Sequence, residues 1–305
     1  MTKPVVYVVT GPTASGKSDL AMEIAQKMQG EIICMDSMQI YRGMDIGTAK
    51  PTREEQRRIP HHMVDVVDPK DCFTVAEYKD AAESCIRDIL SRGKQPLFVG
   101  GTGLYLRALR TPMAMGGAQG SEAFRKELEE LSRDETGRQT LHQRLQTVDP
   151  ESAGKIHPNN VRRVIRALEV YEATGIPFSR QENPQEESPF AYRVVTLDLP
   201  RDVLYERVDR RVLKMVRMGL EDEIRSLLSR GVPRTSQAMQ AIGYKEWFPY
   251  LDGEGTLDET ISLIQLNSRR YAKRQLTWMR REENLLWLDA GDGQLMEKTL
   301  KYFLE

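Results

Sequence analysis

Val5-Val6-Tyr7-Val8-Val9-Thr10, then Gly11-Pro12-Thr13-Ala14-Ser15-Gly16-Lys17-Ser18, then Leu20, Ala21, Ile24, Ala25 and Met28 at helical spacing, form three consecutive patterns near the start of the chain. The first is an unbroken β-branched and aromatic run. A strand covered on both faces reads this way, which points to a parallel sheet. The second is a glycine-framed polar turn. The third is an amphipathic helix, with Gly30 expected to end it. Glu31-Ile32-Ile33-Cys34-Met35 then supplies a second strand leading into Asp36, completing one strand–helix–strand unit.

Outward from this unit the rhythm continues. Met63-Val64-Asp65-Val66-Val67 reads as a short strand, Val75 to Arg92 as a helix, and Pro96-Leu97-Phe98-Val99 as a buried strand ending in Gly100-Gly101-Thr102-Gly103. Tyr192 to Leu199 and Leu285 to Leu288 supply two more strands, with helices expected at 201–219, 221–230 and 258–281. Alternation of this kind predicts an α/β fold, a doubly wound parallel sheet. Residues 113–189 break the pattern. They open on Gly116-Gly117-Ala118-Gln119-Gly120, close on the polar run from Gln181 to Pro189, and contain helical patterns without a clear strand. We read an all-helical insertion on two mobile linkers, with 1–112 and 190–305 forming the α/β core.

The turn from Gly11 to Ser18 fits G-x-x-x-x-G-K-[ST], the P-loop pattern. Its glycines let backbone N–H groups converge on phosphate oxygens, and the helix that follows presents its positive end. Lys17 supplies a point charge and Ser18 a hydroxyl suited to Mg²⁺. A nucleotide hydrolase normally carries an aspartate at the end of a later apolar strand. Here Leu97-Phe98-Val99 runs into Gly100-Gly101-Thr102 instead, and no Asn-Lys-x-Asp guanine signature occurs. In an α/β sheet the C-terminal strand ends face the ligand crevice, so Asp36 is expected near the loop as a base.

Composition narrows the setting. The 305 residues carry 44 Lys+Arg and 45 Asp+Glu, a net charge of −1, which excludes a uniformly basic nucleic-acid coat. There is no apolar run of membrane-spanning length and no secretory pattern at the start, so a cytoplasmic protein is expected. Cys34, Cys72 and Cys85 lack metal-site spacing and read as reduced thiols. The adjacent pair His61-His62 does not share one helix face and reads as structural. Locally the charge is uneven. Residues 113–189 hold 10 basic and 13 acidic groups, whereas 261–283 hold 6 basic and 2 acidic, net +4. Arg162, Arg163 and Arg166 can line one helix face.

Further stretches complete the pattern: Asp36-Ser37-Met38-Gln39-Ile40-Tyr41-Arg42-Gly43-Met44-Asp45-Ile46-Gly47-Thr48-Ala49-Lys50-Pro51, Ile59-Pro60-His61-His62, Arg166-Ala167-Leu168-Glu169-Val170, Ala241-Ile242-Gly243-Tyr244-Lys245 and Tyr271-Ala272-Lys273-Arg274-Gln275-Leu276-Thr277-Trp278. Together with the P-loop and Val99 to Tyr105, they closely resemble the bacterial tRNA dimethylallyltransferases, also called tRNA isopentenyltransferases, over nearly the whole chain. The resemblance implies transfer of a five-carbon allyl group from dimethylallyl diphosphate to the exocyclic amine of the adenine just 3′ of the tRNA anticodon. It places the diphosphate on Gly11, Pro12, Thr13, Ala14, Ser15, Gly16, Lys17, Ser18 and Arg211, and Mg²⁺ on Ser18. It makes Asp36 the base, with Thr13, Lys17 and Thr102 beside the reaction.

The resemblance carries tRNA contacts onto Asp36, Ser37, Met38, Gln39, Thr102, Arg125, Arg162, Arg163, Val164, Ile165 and Arg166. It adds Gln240, Ala241, Ile242, Gly243, Tyr244 and Lys245. The target adenine must leave its stack to react, and the insertion is expected to clamp the anticodon stem of tRNA. Eukaryotic relatives carry a C-terminal zinc finger; this chain has no Cys after Cys85 and no His after His157, so no zinc is expected. A monomer is expected. Two other readings share the P-loop: an adenylate isopentenyltransferase or small-molecule kinase acting on free nucleotide, and an RNA-binding protein with a remnant loop.

Overall fold

The structure is a computed structural model that describes residues 3–112, 121–181 and 187–305. In chain order the first part runs β1 (Val5–Thr10), α1 (Lys17–Met28), β2 (Gly30–Cys34), α2 (Arg53–Arg58), β3 (His61–His62), α3 (Val75–Ser91), β4 (Gln95–Gly100) and α4 (Gly103–Arg110). Four helices follow: α5 (Glu122–Leu131), α6 (Glu135–Val148), α7 (Pro150–Lys155) and α8 (Val161–Thr174). The last part holds β5 (Ala191–Asp198), α9 (Arg201–Arg217), α10 (Leu220–Ser229), α11 (Phe248–Leu251), α12 (Leu257–Met279), β6 (Leu285–Asp289) and α13 (Leu295–Leu304).

The six strands form one parallel sheet in the order β3-β2-β4-β1-β5-β6. Alternate residues of β1 face opposite layers, as strand geometry requires. Val6 and Val8 pack with Ile33, Phe98 and Val194 under Tyr78, Ala82, Ile86 and Ile89 of α3. Tyr7 and Val9 pack with Leu97, Val195 and Leu197 against Leu20, Ala21 and Ile24 of α1 and Phe303 of α13. Both faces are covered, which explains why the strands read as continuous apolar runs. Capping boxes start α3 at Thr74/Glu77 and α12 at Thr256/Glu259, each satisfying helix-end N–H groups.

Two expected details differ. Gly30 does not end α1. Gln29 takes the left-handed conformation there (φ 50°), and Gly30 opens β2, where a Cβ would stand 2.7 Å from the Gln95 carbonyl of β4. The strand expected at 63–67 is replaced by His61–His62, paired with Ile32 and Ile33. Met63 (φ 60°) and Asp65 (φ 56°) are left-handed and break the extended run, leaving Val67 a single bridge to Tyr41.

The chain divides into two compact units, 1–111 with 188–305, and 112–187. The second unit, within its described residues, is helical, with a core of Leu128, Leu141, Leu145, Val164, Ile165 and Leu168. Of the linkers expected to be mobile, 116–120 and the stretch 182–186 of 181–189 lie outside the described residues. Among the described residues no helix is long and apolar enough to cross a membrane.

Candidate active site

The P-loop connects β1 to α1 and takes its shape from left-handed residues, Ala14 at φ 65° and Gly16 at φ 92°. Beside it opens a cavity of ≈ 370 Å³ whose lining comes wholly from the first unit. Thr13, Lys17 and Ser18 line one side; Asp36, Ser37, Met38 and Gln39, which follow β2, line another. Arg211 of α9 and the segment Gln240-Ala241-Ile242-Gly243-Tyr244 complete it, with Tyr271, Arg274 and Gln275 from α12.

Two cations meet here. Lys17 Nζ donates to the Pro12 carbonyl (3.2 Å), and Arg211 reaches the Thr48 carbonyl (3.5 Å). Neither has a carboxylate ion-pair partner among the described residues. Burial, then the nearby Arg211 charge, push the Lys17 ammonium down to about 8, although Asp36 works the other way. Burial also lowers Arg211, again opposed by Asp36. Two desolvated cations with no carboxylate partner among the described residues make an anion site.

Asp36 is held by one oxygen. Its Oδ1 accepts from the Met38 N–H (2.8 Å) and the Gln39 N–H (3.4 Å), while Oδ2 makes no hydrogen bond among the described residues. The Thr102 hydroxyl accepts from the Ser37 N–H (3.1 Å) and so braces the Asp36 turn rather than lining the cavity itself. Gln39 is locked as well. It accepts from the Cys34 thiol (3.1 Å) and donates to the carbonyls of Thr48 and Ala49 (both 3.1 Å).

Burial corrects two of the expected side-chain contacts. Val164 (1% exposed) and Ile165 (4%) are core residues of the helical unit and cannot present side chains to RNA. Tyr244 is wholly buried in the cavity wall, its hydroxyl donating to Glu223 (2.6 Å). Arg125 pairs with the buried Glu169 through Nε (2.6 Å) and a second nitrogen (2.7 Å), and Arg166 lies 3.9 Å from the same carboxylate. Arg162 and Arg163 are exposed on α8, and Lys245 is exposed outside the cavity lining.

Three residues are given no site role by the sequence, although Tyr271 and Gln275 stand in a stretch that carries the resemblance. Glu223 of α10 accepts from the N–H groups of Asp45 (2.8 Å), Ile46 (2.7 Å) and Gly47 (3.1 Å), clamping the loop that supplies Gly47 to Lys50 to the cavity. Tyr271 faces Asp36, Thr102 and Gln275, and burial pushes its phenol up. Gln275 bridges Thr13 and Gly101. Gln275 carried a signal: it is a polar residue on the stripe where α12 buries Ile264, Ala272 and Met279.

These features define a P-loop α/β protein in which an anion cradle faces a partly free carboxylate across one cavity. The chain belongs to the IPP transferase family, which it matches over residues 39–282; residues 4–65 also match the isopentenyl transferase family. It is 47% identical over 301 residues to the tRNA dimethylallyltransferase of Halalkalibacterium halodurans, covering 98% of this chain and 95% of that one. The full-length tRNA isopentenylpyrophosphate transferase of Bacillus halodurans aligns with a TM-score of 0.72 at 45% identity, over 99% of this chain and 95% of that one. A eukaryotic dimethylallyltransferase acting on tRNA aligns with a TM-score of 0.79 at 31% identity, over 98% of this chain and 77% of that one.

Proposed function

We propose that this protein transfers the dimethylallyl group of dimethylallyl diphosphate to the exocyclic amine of the adenine 3′-adjacent to the anticodon of a tRNA. The observation that carries the reading is the opposition, in one cavity, of Lys17 and Arg211 to the free oxygen of Asp36. Breaking the allylic C–O bond leaves its electrons on the diphosphate. Lys17, Arg211 and the loop N–H groups stabilise that growing charge, the role fixed cations play best in a desolvated site. The adenine amine forms the new C–N bond and gives its proton to Asp36 Oδ2. No terminal phosphoryl is transferred, in keeping with Gly100-Gly101-Thr102 standing where a hydrolase carries its aspartate.

The donor set fits a diphosphate-borne Mg²⁺. Ser18 offers an exposed hydroxyl at the start of α1, and among the described residues no cluster of three His, Cys, Asp or Glu forms a cage of its own. Ser18 would hold the ion from the protein side, the remaining ligands being diphosphate oxygens and water, and the ion would add positive charge at the leaving group. The exposed Arg162 and Arg163 suit the phosphates of the anticodon stem, where such contacts set orientation. A cytoplasmic monomer is the accompanying proposal. The test supplies labelled dimethylallyl diphosphate with unmodified tRNA or with AMP, in the presence of ATP. Label on the anticodon-adjacent adenine is expected. Label on AMP alone makes the protein a free-nucleotide prenyltransferase, and cleavage of nucleoside triphosphate without prenyl product makes it a kinase-like enzyme.

A further inference from the structure

Gln275 lies on α12, is only 6% exposed, and makes one hydrogen bond with each half of its amide. Its Oε1 accepts from the Thr13 N–H of the P-loop (2.9 Å). Its Nε2 donates to the Gly101 carbonyl, in the turn after β4 (2.9 Å). The orientation of the amide is forced, because a backbone N–H can only donate and a carbonyl can only accept. The same turn continues into Thr102. There the Thr102 N–H donates to the Met35 carbonyl (3.2 Å) and the hydroxyl receives the Ser37 N–H (3.1 Å), on either side of Asp36. A continuous path therefore runs from the P-loop through one side chain to the carboxylate. Gly101 gives independent support. A Cβ on it would stand 2.2 Å from Gln275 Nε2 and 3.0 Å from the Gly11 carbonyl, so this turn has the space of a glycine because the amide occupies the rest.

We infer that Gln275 is a positioning residue that sets the separation between the diphosphate cradle and Asp36. The inference rests on the alkyl-transfer reading above. In that reaction the leaving group is held by one loop and the nucleophile is deprotonated from another. The reacting carbon and nitrogen meet only if the two loops keep a fixed spacing, and a displacement of about 1 Å costs on the order of 10²-fold in rate. A buried amide satisfied at both ends holds such a spacing better than packing alone, since releasing either end leaves a buried backbone group unpaired. The effect belongs in turnover. Gln275 bonds to neither the Lys17 nor the Arg211 side chain, so donor affinity keeps its main determinants.

Two substitutions separate the halves of the amide. Gln275→Met keeps the size and removes both bonds. Gln275→Glu keeps the acceptor for Thr13 and sets a second oxygen against the Gly101 carbonyl. Single-turnover transfer of label to tRNA, normalised to active sites and run beside wild type, should show kcat lowered on the order of 10²-fold in both, with the KM values for donor and tRNA little changed. A merely structural role would lower the melting temperature and the active fraction while leaving kcat per active site intact, and that result overturns the inference. If the Gln275 variants do not fold, Gly101→Ala displaces the amide from the other side and must show the same kcat-selective loss; wild-type kcat in Gly101→Ala overturns it too. Wild type that makes no prenylated tRNA sinks the functional reading and this inference together. Active wild type beside an equally fast Gln275→Met sinks this inference alone.

Discussion

Asp36 in the α/β unit and Asp149 in the helical unit are both aspartates at the edge of a regular element, and they are handled in opposite ways. Asp149, 1% exposed, caps α7 by accepting from the Ser152 N–H (3.0 Å), and it takes both the N–H (2.8 Å) and the hydroxyl (2.6 Å) of Ser179. Both its oxygens are committed. Asp36 commits one oxygen and leaves the other without a protein donor among the described residues. The cations differ likewise. Arg125 is bidentate on Glu169, whereas Lys17 and Arg211 face a cavity with only backbone carbonyls as hydrogen-bond partners. In the helical unit saturated polar groups hold helices together. Around the cavity they are left part-satisfied, and a substrate can complete them. Buried polar groups ordinarily find partners, so such shortfalls mark where chemistry is expected.

The sharpest way to break this contrast is Asp36→Asn, which keeps the Oδ1 acceptor for Met38 and removes the base. Turnover should fall by about 10²–10⁴-fold, with tRNA binding and melting temperature retained. A variant that transfers the allyl group at wild-type speed, or that loses stability instead, would make Asp36 another Asp149. Thermal melts and single-turnover assays on one preparation decide it.

Acid titration probes the other side of the contrast. Glu31, buried on β2, is held at about 2 against an ordinary 4.5, first by its hydrogen bonds from Arg92, against burial, with His62 Nε2 2.7 Å away adding to the effect. Burial pushes Asp149 up, but its bonds from Ser152 and Ser179 outweigh it and leave it at about 2 against 3.8. Both folded values are depressed, so both contributions are complete above the unfolded values. They are lost as pH falls through 4.5 toward 2 for Glu31 and through 3.8 toward 2 for Asp149. They amount to about 3 and about 2 kcal/mol. Urea melts across this range should flatten in Glu31→Gln over the wider window and in Asp149→Asn over the narrower one. An unchanged slope in either variant removes that carboxylate from the account.

Arg125→Ala tests whether the helical unit's ion pair is structural. It strips the main partner from a carboxylate that is 2% exposed. The expected loss is about 2 kcal/mol, below the range for a wholly buried pair because Arg125 is itself half-exposed and Arg166 stands within reach. Donor affinity, measured with inorganic pyrophosphate, should not move. If Arg125→Ala weakened tRNA binding at full stability, the arginine would be a phosphate contact after all.

Local patterns carried most of this into view from the chain alone. The P-loop was readable because eight consecutive residues build it, and the sheet because each strand is an apolar run between turn residues. Asp36 followed from a rule about strand ends. Failures came where distant residues override local pattern. The run 63–67 is rich in valine like a strand, yet Asp65 pairs with Lys50 (2.6 Å) and adopts a left-handed backbone. Val164 and Ile165 sit among arginines in sequence, but helix periodicity turns them inward. Gln275 reaches Thr13 across 262 positions and Glu223 reaches Gly47 across 176, separations no spacing rule spans.

The smallest effect concerns Lys17, whose ammonium sits at about 8 through burial, then Arg211. A cation lowered this far is charged at neutral pH and begins to lose its proton just above. The charged form holds the diphosphate, so affinity for inorganic pyrophosphate, once the ligand's own ionisation is allowed for, should weaken as pH rises above 8. Bound diphosphate stabilises the ammonium, so kcat at saturating donor should hold over the same interval while KM rises. Lys17→Arg keeps its charge throughout and should remove this fall, leaving only the ionisation of the ligand, even where it binds more weakly. Calorimetric titration at pH 7 and pH 9 reads both proteins. An equal fall in the arginine variant would move the titrating group elsewhere. The cavity would then resemble the helical unit, with its charges settled before any ligand arrives.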